Sequence, residues 1–225
     1  MADLFPGRRH LGLVLLTKAP APGLAKRRLS GQIGAESAAH VARVLLGNTA
    51  EACVALGAPI HGFYRGPRAE LPVDRGITWR HSLGENPVAA VLAAFRELAC
   101  DYERLLAVPS DVPGLSAPYL SAAAAALDRC DVVLGPSRDG GLVLFGAACR
   151  LPDELGHLAS SSGRLYGDVR RCCAEHGLSV ESVPALTDID SWWSITRAID
   201  EGELLEDSLL HTRLLGAMRA PRSLR

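Results

Sequence analysis

The stretch LGLVLLTKAPAPGLAKRRLS, residues 11–30, decides the fold class, because a buried strand gives way to a charged loop within it. Residues 11–16 are continuously apolar, which is typical of a strand covered on both faces of a parallel sheet. The next dozen residues contain two prolines, one glycine and four cationic side chains. The first strand therefore ends in this loop and presents positive charge at its carboxyl end.

Apolar runs and helix-spaced apolar stripes alternate along the rest of the chain. Further strands are predicted at 59–64, 77–80, 104–109, 131–136, 142–147 and 178–184. Helices are predicted at 35–56, 86–99, 116–129, 164–176 and 191–202. This order predicts an α/β fold with a mainly parallel, doubly wound sheet of about seven strands, flanked by helices on both faces in three layers. Strands 11–16 and 104–109 are the most apolar and are expected at its centre.

Length and composition narrow the class of protein. A chain of 225 residues with 48% hydrophobic content predicts a single domain spanning 1–225, with its core at about 11–202 and a helical tail at 203–225. The net charge of −1 gives no overall field that would recruit nucleic acid or a membrane. With no long apolar run, no secretory signal, and six cysteines without a C-x-x-C pair, we expect a cytoplasmic protein with reduced thiols.

The loop after the first strand has the chemistry of a polyphosphate site. Lys18 supplies a mobile charge, Arg27 or Arg28 a planar fork for phosphate oxygens, and Gly23 lets backbone N–H groups approach an anion. An exposed basic turn is the alternative. The loop matches neither the Walker pattern nor G-x-G-x-x-G, which argues against P-loop and dinucleotide enzymes.

Carboxylates follow two other predicted strands, which places them at the same edge of the sheet. Asp111 lies in VPSDVPGL (108–115), and Asp188 and Asp190 lie in TDIDSWW (187–193). Magnesium takes one or two protein carboxylates and completes its shell with water and phosphate oxygens, so this pairing fits a magnesium site. Helix capping is the alternative role for each aspartate. We expect Trp192 and Trp193 to anchor the core rather than to stack on a base.

A fourth loop, GPSRDGGLVLFG (135–146), combines adjacent glycines with charge. Gly140 and Gly141 allow the backbone to approach a ligand more closely than any Cβ would permit, while Arg138 and Asp139 supply charge beside it. The D-G pair is also a common hairpin signal, and the two roles are compatible.

Taken in order, these motifs resemble the GT-A-like nucleotide-diphospho-sugar transferase superfamily and, within it, the bacterial DUF2064 group, which is similar to 2-phospho-L-lactate guanylyltransferases. The resemblance covers residues 13 to about 200. It rests on TKAPAPGLAKRRL (17–29), HSLGENPVAAVLAAF (81–95), PSDVPGL (109–115), GPSRDGGLVLFG (135–146) and LTDIDSWWSI (186–195). Arg27, Val112 and Asn86 depart from the family pattern, as do Leu142 and Ser191.

The resemblance implies a GT-A-like sheet and a set of site residues. Phosphate contacts would come from Lys18, Lys26 and Arg28, which with Asp111 are the expected catalytic residues, and Asp111 and Asp190 would hold Mg²⁺ or Mn²⁺. The expected nucleotide-binding residues are Thr17, Lys18, Ala19, Pro20, Gly23, Lys26, Arg28, Ser110, Asp139, Gly140 and Gly141.

Three functions are compatible with these residues. The first is a magnesium-dependent nucleotidyltransferase that moves NMP from an NTP to a small phosphorylated acceptor, favoured because four cations suit a triphosphate. The second is a glycosyltransferase using an NDP-sugar, and the third is a nucleotide-binding protein without catalysis. The expected partners are a nucleotide and a small-molecule acceptor, with no nucleic acid or membrane. The base, the acceptor and the oligomeric state, a homodimer included, are left open.

Overall fold

The computed structural model describes residues 9–72, 76–148, 150–158, 163–206 and 208–218. Among these residues, seven strands form one sheet: β1 (Arg9–Lys18), β2 (Ile60–Arg65), β3 (Ile77–His81), β4 (Tyr102–Pro109), β5 (Val132–Pro136), β6 (Leu142–Ala147) and β7 (Val180–Ser182). Their order across the sheet is β3-β2-β1-β4-β6-β5-β7. All seven predicted strands are present, and the two most apolar ones, β1 and β4, lie side by side at the centre.

The sheet is parallel except at one strand. β1 pairs in parallel with both β2 and β4, whereas β6 runs antiparallel between β4 and β5. Because β6 runs the other way, its first residue, Leu142, lies at the edge where the parallel strands end. Loops that follow β1, β4 and β5 therefore meet the start of β6 at one edge of the sheet.

Within the described part of the chain, seven α-helices accompany the strands: α1 (Arg27–Ile33), α2 (Ala35–Leu56), α3 (Pro87–Leu98), α4 (Ala117–Ala126), α5 (Leu165–Glu175), α6 (Trp192–Asp200) and α7 (Leu209–Met218). Successive residues of a strand face opposite sides, and the two sides of the sheet bury different clusters. Leu13 and Leu15 of β1 pack with Leu46 of α2 and Leu120 of α4. The opposite face packs against α3 and α5. The predicted three-layer architecture is confirmed.

A third apolar cluster, called the outer cluster below, lies outside α2 on the side away from the sheet. Its members come from α1, α2, α6, α7 and the segments before and after α6: Leu29, Val41, Leu45, Ile189, Ile195, Ala198, Leu204, Leu214 and Ala217. The expected tail at 203–225 contributes α7 to this cluster, and residues 219–225 of that tail lie outside the described part. The cluster holds α1 and α6 together beside the site.

Local sequence explains where several helices begin. Ser116 caps α4 through its hydroxyl, which accepts from the Tyr119 N–H, and Pro118 occupies the first turn. Asn86 caps α3 in the same way by accepting from Ala89. Ser191 caps α6, so neither Asp188 nor Asp190 serves as the cap that was their alternative role.

No helix within the described ranges combines the length and apolarity that crossing a membrane requires.

Candidate functional site

The candidate site lies where the central strands end. Leu16 of β1 is paired with Pro109 of β4, so the residues that follow them, Thr17 and Ser110, are neighbours. Their hydroxyl oxygens lie 2.7 Å apart, and the Thr17 hydroxyl donates to the Lys18 carbonyl oxygen at 3.0 Å. These two hydroxyls hold the start of both site loops against each other. Lys18 ends β1 and is exposed at this edge.

The loop from β1 turns back sharply before α1. Gly23, at φ +76°, lies at the tip of this loop, and the Leu24 N–H donates a hydrogen bond to the Ala21 carbonyl oxygen across the turn. The turn ends at Lys26, which has φ +53° and precedes the first residue of α1. Among the described residues, Lys26 alone has a positive φ without being glycine. A left-handed lysine is strained, so a compensating interaction must hold it there.

That interaction is a pair of carboxylates. Lys26 Nζ lies 2.6 Å from Asp111 Oδ2 and 3.4 Å from Asp190 Oδ1, and the Lys26 side chain is only 7% exposed. Burial by itself would lower the pKa of Lys26, but the charges of Asp111 and Asp190 outweigh it and raise the pKa above 10.5. Lys26 is therefore a buried cation held between two acids that the sequence places 79 residues apart.

A backbone hydrogen bond brings those two acids together. The Ile189 N–H donates to the Asp111 carbonyl oxygen at 2.9 Å, which joins the loop after β4 to the segment before α6. Ile189 is fully buried in the outer cluster, so the segment cannot move away without exposing it. The next residue, Asp190, then faces the same space as Asp111.

Asp188 lies beside this pair but has a different role. Its Oδ1 accepts from the Ser137 hydroxyl at 2.6 Å, which ties the segment to the turn between β5 and β6. Burial and the neighbouring charge of Asp111 raise the pKa of Asp188 to about 6, against the opposing effect of the Ser137 hydrogen bond. Asp188 therefore supports the loop, whereas Asp190 faces the pocket.

A pocket of about 460 Å³ opens from this cluster along the sheet edge. Thr17, Lys18, Lys26, Ser110, Asp111 and Asp190 line its charged end. The remaining lining is largely apolar and includes Leu16, Phe63, Val88, Val91, Leu142 and Phe145. The volume lies in the range of small-molecule sites. The structure thus brings six of the expected residues to one cavity.

The other expected residues lie outside the lining. Ala19 and Pro20 are buried under the loop, Gly23 stands at its exposed crest, and Arg28 projects outward from α1 with its side chain 79% exposed. Arg28 Nη1 is 3.7 Å from Asp190 Oδ2, so it reaches the cluster from its solvent side. The nucleotide-binding role of these residues remains a prediction.

The turn at 137–141 also lies outside the lining, and its glycines serve the chain itself. A Cβ at Gly140, whose φ is +90°, would lie 1.9 Å from the Gly163 carbonyl oxygen. The Gly141 N–H donates to Asp139 Oδ1 at 3.0 Å within the hairpin between β5 and β6. The backbone at Gly163 makes the close approach to Gly140, and the expected hairpin is confirmed. The nucleotide-binding role of Asp139, Gly140 and Gly141 remains a prediction.

Arg138 does not offer free charge to the site, contrary to the sequence-based expectation. Its guanidinium donates to Glu203 at 2.9 Å and pairs with Glu201 at 2.9 Å. Glu203 also accepts from the Thr187 N–H at 2.6 Å. Arg138 therefore links the hairpin turn to the end of α6. The sequence did not reveal this role, because both partners lie more than 60 residues further along the chain.

Several lining residues were not predicted. Arg65 ends β2 beside Lys18, and Ser82 and Glu85 come from the loop after β3. The segment HSLGENPV belongs to the motif at 81–95 and so could be linked to the site, but the motif does not predict which of its residues line the pocket. The apolar members had no local signal, since nothing separates Phe63 or Phe145 from ordinary core residues until the sheet has formed.

Trp192 and Trp193 are not core anchors, and that expectation is wrong. Trp192 is 50% exposed and Trp193 is 66% exposed. They occupy the first two positions of α6, whereas Ile195 and Ala198 of the same helix face the outer cluster. The helical spacing turns the buried positions inward and leaves the indoles at the surface.

The donor set fits a hard divalent cation. Asp111 and Asp190 already hold one cation, the Lys26 ammonium, between carboxylate oxygens of the kind that Mg²⁺ and Mn²⁺ prefer. Within the described ranges, no group of three or more His, Cys, Asp and Glu side chains forms a metal cage. Two carboxylates suit an ion that takes its other ligands from water and phosphate.

Comparison with known proteins gives one family and one fold. The family model described as "Uncharacterized protein conserved in bacteria (DUF2064)" matches residues 42–162. No curated protein matches the chain. A "putative nucleotide-diphospho-sugar transferase" from Desulfovibrio desulfuricans G20 is similar in structure, with a TM-score of 0.81 and 21% identity over 93% of this chain and 96% of that one.

Two other solved structures are more distant. The 2-C-methyl-D-erythritol 4-phosphate cytidylyltransferase of Thermus thermophilus has a TM-score of 0.55 and 16% identity over 87% of this chain and all (100%) of that one. Rv0371c of Mycobacterium tuberculosis H37Rv, in complex with manganese, has a TM-score of 0.51 and 14% identity over 86% of this chain and 99% of that one. At these identities the likeness establishes the fold.

Proposed function

This chain belongs to the DUF2064 family, and from that membership and the geometry of its site we propose that it is a Mg²⁺-dependent nucleotidyltransferase. It transfers NMP from an NTP to a small phosphorylated acceptor and releases pyrophosphate. The fold it shares with a cytidylyltransferase supports the proposal, as does the manganese complex of another protein of this fold.

One observation carries the proposal. Two lysines and two carboxylates meet at one end of a pocket large enough for a nucleotide: Lys18, Lys26, Asp111 and Asp190. A triphosphate needs cations for its oxygens and carboxylates for the metal that travels with it. The apolar remainder of the pocket then receives the nucleoside.

The reaction requires little proton transfer. An oxygen of the acceptor phosphate attacks the α-phosphorus of the NTP, the bond from that phosphorus to the bridging oxygen of the β-phosphate breaks, and its electron pair leaves with pyrophosphate. Because a phosphate dianion already carries the attacking electron pair, no general base is needed. Asp188, which is buried and bonded to Ser137, is not required as one.

The chain's own residues contribute positioning and charge. Lys18 and Lys26 hold the β- and γ-phosphates and stabilise the negative charge that accumulates on pyrophosphate. Asp111 and Asp190 would hold Mg²⁺, which when bound neutralises charge on the phosphate oxygens. To reach a phosphate, Lys26 must exchange its carboxylate partners for phosphate oxygens, and the pocket it faces allows this.

The test compares triphosphates with diphosphates. We expect Mg²⁺·NTP to bind at least tenfold more tightly than Mg²⁺·NDP of the same base in calorimetry, and Lys18→Ala to remove most of that preference. Pyrophosphate release is then assayed over phosphorylated small acceptors. Arg27→Ala, which removes an exposed charge at the first residue of α1, is the matched control.

The alternatives give different results in the same experiment. If NDP binds as tightly as NTP, Lys18→Ala weakens both equally and no pyrophosphate appears, a glycosyltransferase using an NDP-sugar replaces the proposal. Tight Mg²⁺·NTP binding without turnover over any acceptor would identify a nucleotide-binding protein instead.

A further inference from the structure

Two neighbouring indoles stand exposed at the start of α6, beside the site but outside the pocket. Leaving a tryptophan half exposed forgoes a large part of the roughly 2–3 kcal/mol that its burial would provide. Exposed aromatic pairs on soluble proteins are accordingly typical of binding surfaces. We propose that Trp192 and Trp193, with Arg28, bind the second substrate: a phosphate ester carried on a sugar or aromatic ring.

The backbone that carries the indoles is held in place by a capped helix start. The Ser191 and Ser194 side chains form a reciprocal capping box, and Ser194 Oγ also accepts from the Asp190 N–H at 2.9 Å. Ile195 and Ala198 anchor the same helix in the outer cluster. A surface fixed in this way loses little conformational entropy when a flat ring stacks on it.

The two tryptophans also contact neighbouring segments, Trp192 through its backbone and Trp193 through its ring. The backbone N–H of Trp192 donates to Gln32 Oε1 of α1 at 2.9 Å. The Arg197 guanidinium lies 5.1 Å from the centre of the Trp193 ring and donates to the Arg138 carbonyl oxygen at 3.4 Å. One face of Trp193 is thus covered by a cation, which leaves its other face for a ligand.

Arg28 supplies the charge that selects a phosphate. Arg28 and Gln32 are one helical turn apart on α1, so they share a face. Gln32 contacts the backbone of Trp192 and Arg28 reaches Asp190, which places the exposed guanidinium along the same seam between α1 and α6. A guanidinium beside stacking rings matches an anion on a ring.

The occupant is the acceptor rather than the nucleotide. The nucleoside is assigned to the pocket, and neither tryptophan lines that pocket. Asp190 does line it, and two residues span at most about 7 Å, so Trp192 lies at its rim. A ring on the indoles would place its phosphate near Arg28 and Asp190, where the attacking oxygen is needed. This inference rests on the proposed function.

Calorimetry in the presence of Mg²⁺ tests the inference with three phosphate esters. Glucose 1-phosphate and phenyl phosphate carry rings, and glycerol 3-phosphate is the control without one. We expect at least one ring ester to bind tenfold or more tightly than glycerol 3-phosphate. A preference for glucose 1-phosphate identifies a sugar, and a preference for phenyl phosphate identifies an aromatic ring.

Variants assign that preference to residues. Trp193→Ala should abolish the ring preference and Trp193→Phe should retain most of it, whereas Leu209→Ala, which removes an equally exposed apolar side chain from α7, should leave it unchanged. Arg28→Ala should weaken the binding of all three esters about tenfold, and Arg27→Ala should not.

Equal affinity for ring and ringless esters overturns the inference. A wild-type dimer that Trp193→Ala dissociates overturns it as well, because the indoles would then serve a second copy.

Mg²⁺·NTP titrations on the same samples separate this inference from the proposed function. If NTP binds and the ring esters show no preference, the inference falls and the nucleotidyltransferase stands. If the ring esters bind with the expected pattern while NTP does not bind, the ring site stands and the nucleotidyltransferase falls.

Discussion

Lys26 Nζ lies 2.6 Å from Asp111 Oδ2, and the backbone that carries this lysine adopts a left-handed conformation to hold it there. The protein therefore supplies its own counter-ion to the carboxylates that would hold a metal. A divalent cation must compete with this ammonium, and the competition can be measured in the absence of nucleotide.

Removing the ammonium should strengthen metal binding. We expect Lys26→Gly to bind Mg²⁺ about tenfold more tightly without nucleotide, a gain of about 1.4 kcal/mol, because Asp111 and Asp190 lose their internal cation. Glycine tolerates the positive φ, so the variant also relieves strain. Calorimetry with Mg²⁺ alone measures the effect. Lys18→Ala is the control, since Lys18 lies at the pocket without a carboxylate partner in the described residues, and equal affinity in wild type and Lys26→Gly would contradict the competition.

Neutralising Asp111 should instead weaken the binding of the metal. We expect Asp111→Asn to abolish Mg²⁺-dependent NTP binding while the chain still unfolds cooperatively. The free energy of unfolding should fall by about 2 kcal/mol, the scale of one hydrogen bond to a charged group, because among the described residues the only remaining ion pair of Lys26 is then the longer one with Asp190. Nucleotide titrations with and without Mg²⁺, together with urea unfolding, check both parts. Unchanged Mg²⁺-dependent binding would remove Asp111 from the metal site.

Two glycines with similar backbone angles should respond differently to alanine. Gly140 and Gly23 have φ of +90° and +76°, but a Cβ at Gly140 meets the Gly163 carbonyl oxygen whereas a Cβ at Gly23 meets nothing within 4 Å. We expect Gly23→Ala to cost about 1 kcal/mol through the backbone alone. Gly140→Ala should cost several-fold more, because the chain at Gly163 has to move. Urea unfolding of the two variants side by side tests this, and equal losses would contradict it.

His61, near the start of β2 and at the end of the sheet opposite to the site, should make the stability of the fold depend on pH. His61 Nε2 lies 2.8 Å from the Tyr102 hydroxyl, and Arg80 lies 3.0 Å from Nδ1. Burial lowers the pKa of His61 below its ordinary value of 6.5, the positive charges of Arg80 and Arg9 lower it further, and Asp101 opposes them. The folded protein therefore keeps His61 neutral under conditions in which the unfolded chain protonates it.

The sign of the effect follows from the direction of that shift. Above pH 6.5 both states hold a neutral His61 and its contribution to stability is complete. As the pH falls below 6.5, the unfolded chain binds the proton first, so the free energy of unfolding decreases until the pH reaches the folded pKa. We expect His61→Gln to lose this part of the pH dependence in urea unfolding between about pH 7 and pH 5. A variant with the same slope as the wild type would show that other groups cause it.

The fold was largely predictable because its signals are periodic. Each of the seven strands and the six longer helices corresponds to an apolar run or stripe that can be recognised in this one sequence. The helix that the sequence does not reveal is α1, since it has only seven residues and the side chain of Lys26, the residue before it, does not cap it. Its start depends on the pairing of Lys26 with Asp111, which no local pattern contains.

The site was predictable in its charges and less so in its shape. Lys18, Lys26, Asp111 and Asp190 follow strands or occupy a loop rich in cations, so the topology of a parallel sheet brings them to one edge. Arg138 shows the limit of such reasoning, because its charge is taken up by Glu201 and Glu203. Trp193 shows another limit, because an apolar side chain on a helix predicts burial unless its position on that helix is known.

The hydrogen bond from Ile189 to Asp111 also has a consequence for the time at which the site forms during synthesis. A growing chain that has emerged only as far as β6 contains Lys26 and Asp111, and these can pair while the sheet is still incomplete. The second carboxylate arrives with residue 190, after α5 and β7 have been made. The pair of carboxylates proposed to hold a divalent cation is therefore complete only late in the synthesis of the chain, whereas the first of them can already have Lys26 as its counter-ion.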